Sequence, residues 1–335
     1  MIFEFDSLEL SSVRYGGHAG SKLGVVINGE NWLLKFPQST RTFARKVDMS
    51  YSTSPLSEYI GSHIYELIGI PVHDTLLGIR DERVVVACKD FTEDGSIYRL
   101  DDFNAISNDY VSGLDEKLSY ATSTSDTHTQ SLDEIIIIMD NNPSFLKMPV
   151  LKDRFWDMFV ADALIGNNDR NSGNWGLLYN KLTGETTVAP VFDNGSSFNN
   201  NTSEKRIEHI LNDKDAFFQS AYATRRSFFL GADGKKLNPF AYIESMSNDD
   251  CSRALLRVVP NIDTDSVREM IESIPSEWNG IQVISDARKE FYCQCVEYRY
   301  EKSLYPCFLK AKELEQQGKL ESDSFVRRED DDLEL

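Results

Sequence analysis

The sequence predicts an α+β fold in two lobes, a small β-rich amino-terminal lobe with one main helix and a larger, mostly helical lobe. Three observations carry that prediction. Short β-like runs crowd residues 1–90 around a single helical segment. Near the middle of the chain a long apolar helical run ends in a polar loop, followed by two more β-like runs. Beyond Asn201 the apolar residues recur mostly at helical spacing. The boundaries expected are 1–90 for the first lobe, 91–320 for the second, and 321–335 for an acidic, disordered tail.

Length and composition permit this plan. A chain of 335 residues can bury two sizeable cores. With 41% hydrophobic and 27% charged residues it has the balance of a soluble globular protein. The longest apolar stretch, Ile135 to Met139, falls far short of the ~20 residues of a membrane span. Met1-Ile2-Phe3-Glu4-Phe5-Asp6 lacks the basic-then-apolar pattern of a cleaved signal. The expectation is a cytoplasmic chain without integral membrane contact, export without a signal staying open. Cys88, Cys251, Cys293, Cys295 and Cys307 form no C-x-x-C pair and are odd in number, which argues against a disulfide framework or a zinc site. A formal net charge of -19 opposes non-specific adhesion to nucleic acid, so no nucleic-acid partner is expected.

Residues 1–37 read as a β-meander: Ile2 to Phe5, a glycine-rich turn (Tyr15 to Lys22), Leu23 to Ile27, then Trp32 to Phe36. Glycines allow such a turn to lay backbone N–H groups against phosphate oxygens, although an ordinary hairpin loop explains the same residues. Lys35 ends an apolar strand, where an ammonium either needs a partner or snorkels to water. Residues 38–55 read as a Ser/Thr-rich linker. A helix from about Leu56 to Ile68 is closed by Gly69 and Pro71. Glu58 in its first turn either favours the helix dipole or pairs with Lys35, and His63 on its apolar side reads as a satisfied core residue. Strands at Thr75 to Gly78 and Arg83 to Cys88 lead into Lys89-Asp90-Phe91, where the chain passes to the second lobe. The text from Asp101 to Asp133 is polar, and Thr122 to Ser131 reads as an exposed flexible loop.

The apolar run Phe155, Met158, Phe159, Ala161, Leu164, Ile165 reads as a helix stopped at Gly166. It delivers Asn167-Asn168-Asp169-Arg170-Asn171-Ser172-Gly173-Asn174. Two strands follow, Trp175 to Tyr179 and Thr186 to Phe192, joined by a hairpin turn and ending at Asp193-Asn194-Gly195. The hairpin brings Asn174 and Asp193 side by side, with Asp169 on the loop before them. This order matches a phosphoryl-transfer site. There a loop Asp accepts the substrate hydroxyl proton, an Asn five residues on holds Mg²⁺, and a later Asp, one residue short of a Gly, binds the metal bridging the phosphates. Mg²⁺ needs few protein ligands when phosphate oxygens complete its octahedron.

Further on, Ile207, Ile210, Leu211 and Phe217 suggest one helix, and Leu255, Leu256 and Val259 close another at Pro260. Ser266 and Glu269 have capping-box spacing. A long amphipathic segment runs from about Asp286 to Gln317, interrupted at Pro306.

Several segments together, Trp156 to Arg170, Gly173-Asn174-Trp175-Gly176, Ala189 to Gly195, Trp32 to Pro37, Ser57-Glu58-Tyr59 and Val84 to Phe91, resemble the HipA-like serine/threonine kinases. Within them the chain resembles the cell-translocating, proinflammatory branch. The resemblance runs roughly from Gly16 to Pro275. It implies a two-lobed protein-kinase-like fold, use of ATP and Mg²⁺, and transfer to Ser/Thr of a protein substrate, the chain itself included. By position it makes Lys35 the holder of the α/β-phosphates, Asp169 the base, and Asn174 and Asp193 the metal ligands. It lays Gly17 and Gly20 over the phosphates, makes Glu58 the partner of Lys35, and sets Lys89 and Phe91 at the adenine crossing. Asn171 stands where the family often has His, which bears on rate and loop support. Asn168 precedes Asp169 where eukaryotic kinases carry Arg, and no A-P-E follows, so control by an activation-loop phosphosite is not expected. The same nucleotide site also serves small-molecule or lipid kinases, and a regulatory module that binds nucleotide without turnover is the third reading.

Overall fold

The computed structural model describes residues 1–13, 21–42, 47–112, 131–223, 227–231 and 233–320. The amino-terminal part is a five-stranded sheet built from β1 (Phe3–Glu4), β2 (Lys22–Ile27), β3 (Glu30–Lys35), β4 (Thr75–Arg80) and β5 (Arg83–Lys89), in the order β1-β4-β5-β3-β2. Tight turns set the pairing. Asn28 and Gly29 between β2 and β3, and Asp81 and Glu82 between β4 and β5, take the left-handed φ that two-residue hairpins require. The expected meander is corrected at its first strand. β1 pairs in parallel with β4 at the opposite edge, anchored by the Phe5 N–H on the Ile79 carbonyl at 2.9 Å and by Arg80 on the Phe5 carbonyl at 2.6 Å. Burial of Phe5 against Trp32 and Leu34 offsets the longer connection.

Side-chain alternation divides the two faces of this sheet. Trp32, Leu34, Val85 and Ala87 form a small core with Phe5 and Val25 on one face. Lys35 is registered opposite Val86, and Val86 opposite Leu77, on the face covered by helix α1 (Ser54–Leu67). Helix α1 begins two residues before the expected start, with Pro55 in its first turn, where a missing N–H costs nothing. Glu58 therefore lies beyond the first turn, and the helix-dipole reading of it falls away.

After β5 come β6 (Tyr98–Asp102) and α2 (Phe103–Ser112), in text that read only as polar. Their signal is tertiary: β6 pairs with a strand some 75 positions later, and Phe103 stacks on Trp175 with ring centroids 4.4 Å apart. Residues 122–130 of the expected flexible loop lie outside the described residues. Then follow α3 (Leu132–Asn141), α4 (Pro143–Lys147) and α5 (Pro149–Ile165), the last buried through most of its circumference. Helix α5 stops where the sequence said. Gly166 takes the left-handed conformation (φ 69°), and the Arg299 guanidinium lies where a Cβ would project, donating to the Leu164 carbonyl at 2.9 Å. The hairpin of β7 (Gly176–Asn180) and β8 (Thr186–Val188) forms as expected and joins β6 in a three-stranded sheet, but β8 stops at Val188 instead of running to Phe192.

The remainder is mainly helical. The single helix expected around 207–217 is two, α6 (Glu204–Asn212) and α7 (Lys214–Phe218), because the Asp213 side chain caps the Asp215 and Ala216 N–H groups and restarts the chain. Helices α8 (Pro239–Ser245), α9 (Asp249–Val258) and α10 (Thr264–Glu272) follow. Asp263, not Ser266, caps α10, so the capping-box reading is displaced by three residues. A minimal hairpin, β9 (Glu277–Trp278) with β10 (Ile281–Gln282), precedes α11 (Asp286–Arg299). A π-turn over Tyr300–Leu304 joins it to α12 (Tyr305–Gln316), placing Pro306 in the first turn of a new helix. One large core joins α1 to α5, α9 and α11. Cys88, Cys251, Cys293, Cys295 and Cys307 are all buried, and no disulfide joins them. Among the described residues no helix is long and apolar enough to cross a membrane.

Candidate active site

Strand β3 presents Lys35 toward α1, and α1 returns Glu58. The Lys35 Nζ lies 2.9 Å from Glu58 Oε2 and 2.9 Å from Asp193 Oδ1, so one ammonium joins the sheet, the helix and the end of the β7–β8 hairpin segment. Burial works against charge on Lys35, but Asp193 and Glu58 hold it protonated well above the ordinary lysine range. Burial likewise opposes ionisation of Glu58, yet Lys35 and His73 keep its carboxyl well below the usual carboxylate range. The close approach of α1 to this segment depends on Gly61, where a Cβ would meet the Asn194 Cβ at 3.0 Å.

The loop after α5 is ordered by Arg170, which is buried. Its Nε and Nη2 grip Asp162 at 2.8 and 3.0 Å, Nη1 donates to the carbonyls of Asn174 (3.1 Å) and Phe192 (2.5 Å), and Nη2 also reaches Asn194 Oδ1 at 2.6 Å. One guanidinium thereby holds both flanks of the β7–β8 hairpin together, next to Asn174 on one and Asp193 on the other. Asp162 is further satisfied by the Tyr65 hydroxyl (2.8 Å) and Asn167 Nδ2 (3.2 Å). The sequence reading did not single out Asp162 and Arg170. Their signal was a carboxylate inside the otherwise apolar stretch Met158 to Ile165, eight positions before a cation, a pair that burial tolerates only if matched.

Asp169 sits at the rim of this network. Burial pushes its carboxyl upward, the hydrogen bond from Asn171 opposes that push, and the charge of Asp193 adds to it. Asn171, the departure noted in the sequence, supports the loop: its Oδ1 accepts from the Gly173 N–H at 2.9 Å and its Nδ2 reaches Asp169 Oδ1 at 3.3 Å. Asn174 Nδ2 donates to the Asp169 carbonyl at 2.8 Å, which leaves its Oδ1, a hard oxygen, on the other side of the amide. Asp193 takes a left-handed backbone (φ 60°), rare for a residue with a side chain, and its carboxylate is about half exposed with Oδ2 not held by Lys35. An amide oxygen and a carboxylate oxygen, one from each flank, form a donor set that suits Mg²⁺ and leaves most of the coordination sphere for phosphate oxygens and water.

Lys35, Glu58, Asp169, Asn174 and Asp193 are thus in one neighbourhood. Lys89 ends β5, and Phe91 follows two residues later. The Lys89 ammonium, however, pairs with Glu30 at 2.8 Å and with the Asp74 carboxylate at 3.6 Å, so its side chain is committed to the sheet surface, while its backbone N–H donates to the Asp74 carbonyl at 2.9 Å. The Phe91 ring packs on Phe192 with centroids 5.4 Å apart. Gly17 and Gly20 lie outside the described residues. His63 is half-buried rather than core, its Nδ1 donating to the Tyr59 carbonyl at 2.9 Å.

The chain is 33% identical over 305 residues to the serine/threonine-protein kinase CtkA of Helicobacter pylori J99, covering 91% of this chain and 87% of that one. The crystal structure of the H. pylori proinflammatory kinase CtkA superposes with a TM-score of 0.80 at 31% identity, over 94% of this chain and 100% of that one. The Shewanella oneidensis HipA–HipB toxin–antitoxin complex with operator DNA matches at a TM-score of 0.49 and 11% identity, over 92% of this chain and 70% of that one, too slight a likeness to argue from. No family model matches the sequence.

Proposed function

The chain belongs to the family of the serine/threonine-protein kinase CtkA, and from that premise we propose that it transfers the γ-phosphoryl group of ATP, with Mg²⁺, to a Ser or Thr hydroxyl of a protein, itself among the acceptors. The observation that carries this reading is the Lys35 ammonium 2.9 Å from both Glu58 and Asp193, beside an Arg170 that clamps the two flanks of the hairpin.

The functional cleft is the one between residues 1–90 and 91–320. Lys35 binds the α/β-phosphates, and Glu58 keeps it aimed. Asp169 orients the acceptor hydroxyl and takes its proton as the Oγ–P bond forms and the bond from the γ-phosphorus to the bridging oxygen breaks, leaving ADP. The raised proton affinity of Asp169 suits a base that must pass its proton on to solvent. Asn174 and Asp193 hold Mg²⁺, which when bound neutralises phosphate charge. That charge cannot come from the chain as a whole, given its net -19. The crossing at Lys89 to Phe91 receives the adenine through its backbone, and Gly17 and Gly20 cover the phosphates. Ser11, Ser12 and Ser21 near the glycine turn are the proposed self-acceptors. Ser11 donates to Asn31 Oδ1 at 2.6 Å, a bond it gives up when phosphorylated. A phosphate there adds negative charge where ATP must sit, so self-inhibition is expected.

Purified protein, labelled ATP and Mg²⁺ test the reading, with a basic test protein as second acceptor. Phosphoserine or phosphothreonine in either protein, lost on chelation and absent from Asp169→Ala, is the expected result. Nucleotide binding without label in protein, or label only in an added small molecule or lipid, overturns it.

A further inference from the structure

Glu58 has more partners than Lys35. Its Oε1 lies 3.0 Å from His73 Nε2 and accepts the Asn194 N–H at 3.0 Å, while Oε2 serves Lys35. His73 is buried, as are Ser62, Cys88 and Asn194 around it. Since the ionised carboxylate can only accept, Nε2 must carry the proton it shares with Glu58, and Ser62 Oγ at 3.4 Å supports that orientation. The Cys88 sulfur belongs to the same cluster, within 4.8 Å, but burial pushes its thiol up and keeps it neutral.

The backbone of His73 adds the second half of the argument. Its N–H donates to the Val191 carbonyl at 3.0 Å, and the Val191 N–H donates to the Pro71 carbonyl at 2.8 Å, in a short parallel bridge between Val72 and Val191. Val191 stands two residues before Asp193. The stretch Pro71–His73 therefore grips the segment leading to Asp193 with its main chain and Glu58 with its side chain. Glu58 cannot swing away from Lys35 without releasing a buried imidazole and a buried backbone N–H together. Each of those groups loses a partner in a place water does not reach, which is costly.

We propose that His73 is a positioning residue for phosphoryl transfer: its Nε2–H holds the Glu58 carboxylate in register for Lys35, tying the ion pair to the segment that carries Asp193. The proposal rests on the Lys35–Glu58 reading above, and the test separates the two.

The experiment is a double-mutant cycle on steady-state phosphorylation with His73→Leu, Glu58→Gln and the pair, joined by His73→Gln and His73→Asn. The loss of a buried charge-assisted hydrogen bond predicts a fall in kcat on the order of ten- to a hundredfold for His73→Leu, with KM for ATP changing less. In the Glu58→Gln background the same substitution should change kcat by less than about twofold, because the interaction it removes is already weakened. His73→Gln, whose amide reaches the Nε2 position, should restore most of the rate, whereas the shorter His73→Asn should not. Wild-type kcat in His73→Leu, an equal loss in both backgrounds, or equal rates for the Gln and Asn variants overturns the proposal. If His73→Leu does not fold, the Gln and Asn variants decide the matter alone. Full activity in Glu58→Gln would instead sink the Lys35–Glu58 reading itself.

Discussion

Arg170→Met isolates the network that aligns the site. The substitution keeps an unbranched apolar stem but removes the guanidinium from Asp162, Asn174, Phe192 and Asn194. Stripping one partner from a buried ion pair costs about 3–5 kcal/mol. Asp162 keeps the Tyr65 hydroxyl and Asn167 amide, which places the expected loss near the lower figure, roughly 3 kcal/mol. That is a large fraction of a typical domain stability of about 5–15 kcal/mol. Adding Asp162→Leu removes the orphaned carboxylate and should recover much of the stability, since a buried pair is often replaceable by apolar residues at little net cost. Activity should not return, because the carbonyls of Asn174 and Phe192 still lack the group that fixes the two flanks. Urea unfolding gives the stability terms, and phosphorylation at saturating ATP gives the activity. A single variant that loses under about 1 kcal/mol, or a stable double variant with the wild-type rate, would refute the assignment of Arg170 as the aligner.

Asp169→Asn should abolish transfer while raising the melting temperature at neutral pH. The folded-state pKa of Asp169 is raised, so its charged form is penalised above that pKa, and the gain should vanish below the ordinary aspartate range; calorimetry across pH checks it. Asn171→Leu removes a hydrogen bond that favours the charged form, so the acid limb of kcat/KM should move to higher pH, and an unmoved limb would remove Asn171 from this role. Gly61→Val forces α1 away from Asn194, where even a Cβ sits at 3.0 Å, and should cost about 1–3 kcal/mol by overpacking while raising KM for ATP; unchanged KM at reduced stability would confine the effect to packing.

The parts of this protein that were legible in the sequence are those coded by local rules. Gly166 ends α5 because a left-handed residue is needed there, and hairpin turn residues flank β7 and β8, so the order Asp169, Asn174, Asp193 could be assigned to one end of a small sheet. The separate α6 and α7 were equally local, but the capping role of Asp213 was overlooked. Other features had no local trace. β1, only two residues long, takes its partner 75 positions away, and β6, mostly polar in sequence, exists because β7 pairs with it.

Residue types and spacing pointed to Lys35, Asp169, Asn174 and Asp193 as the candidate site; tertiary structure decided what surrounds and holds them. Arg170, Asp162 and His73 look like ordinary polar residues when read along the chain. Their role follows from burial, because a charge or imidazole removed from water must find its partners among whatever the fold brings near, and Tyr65, which serves Asp162, lies 97 positions away from it. Sequence fixes the intrinsic preference of each residue, whereas the environment that shifts a proton affinity or aims a carboxylate exists only once distant segments have packed.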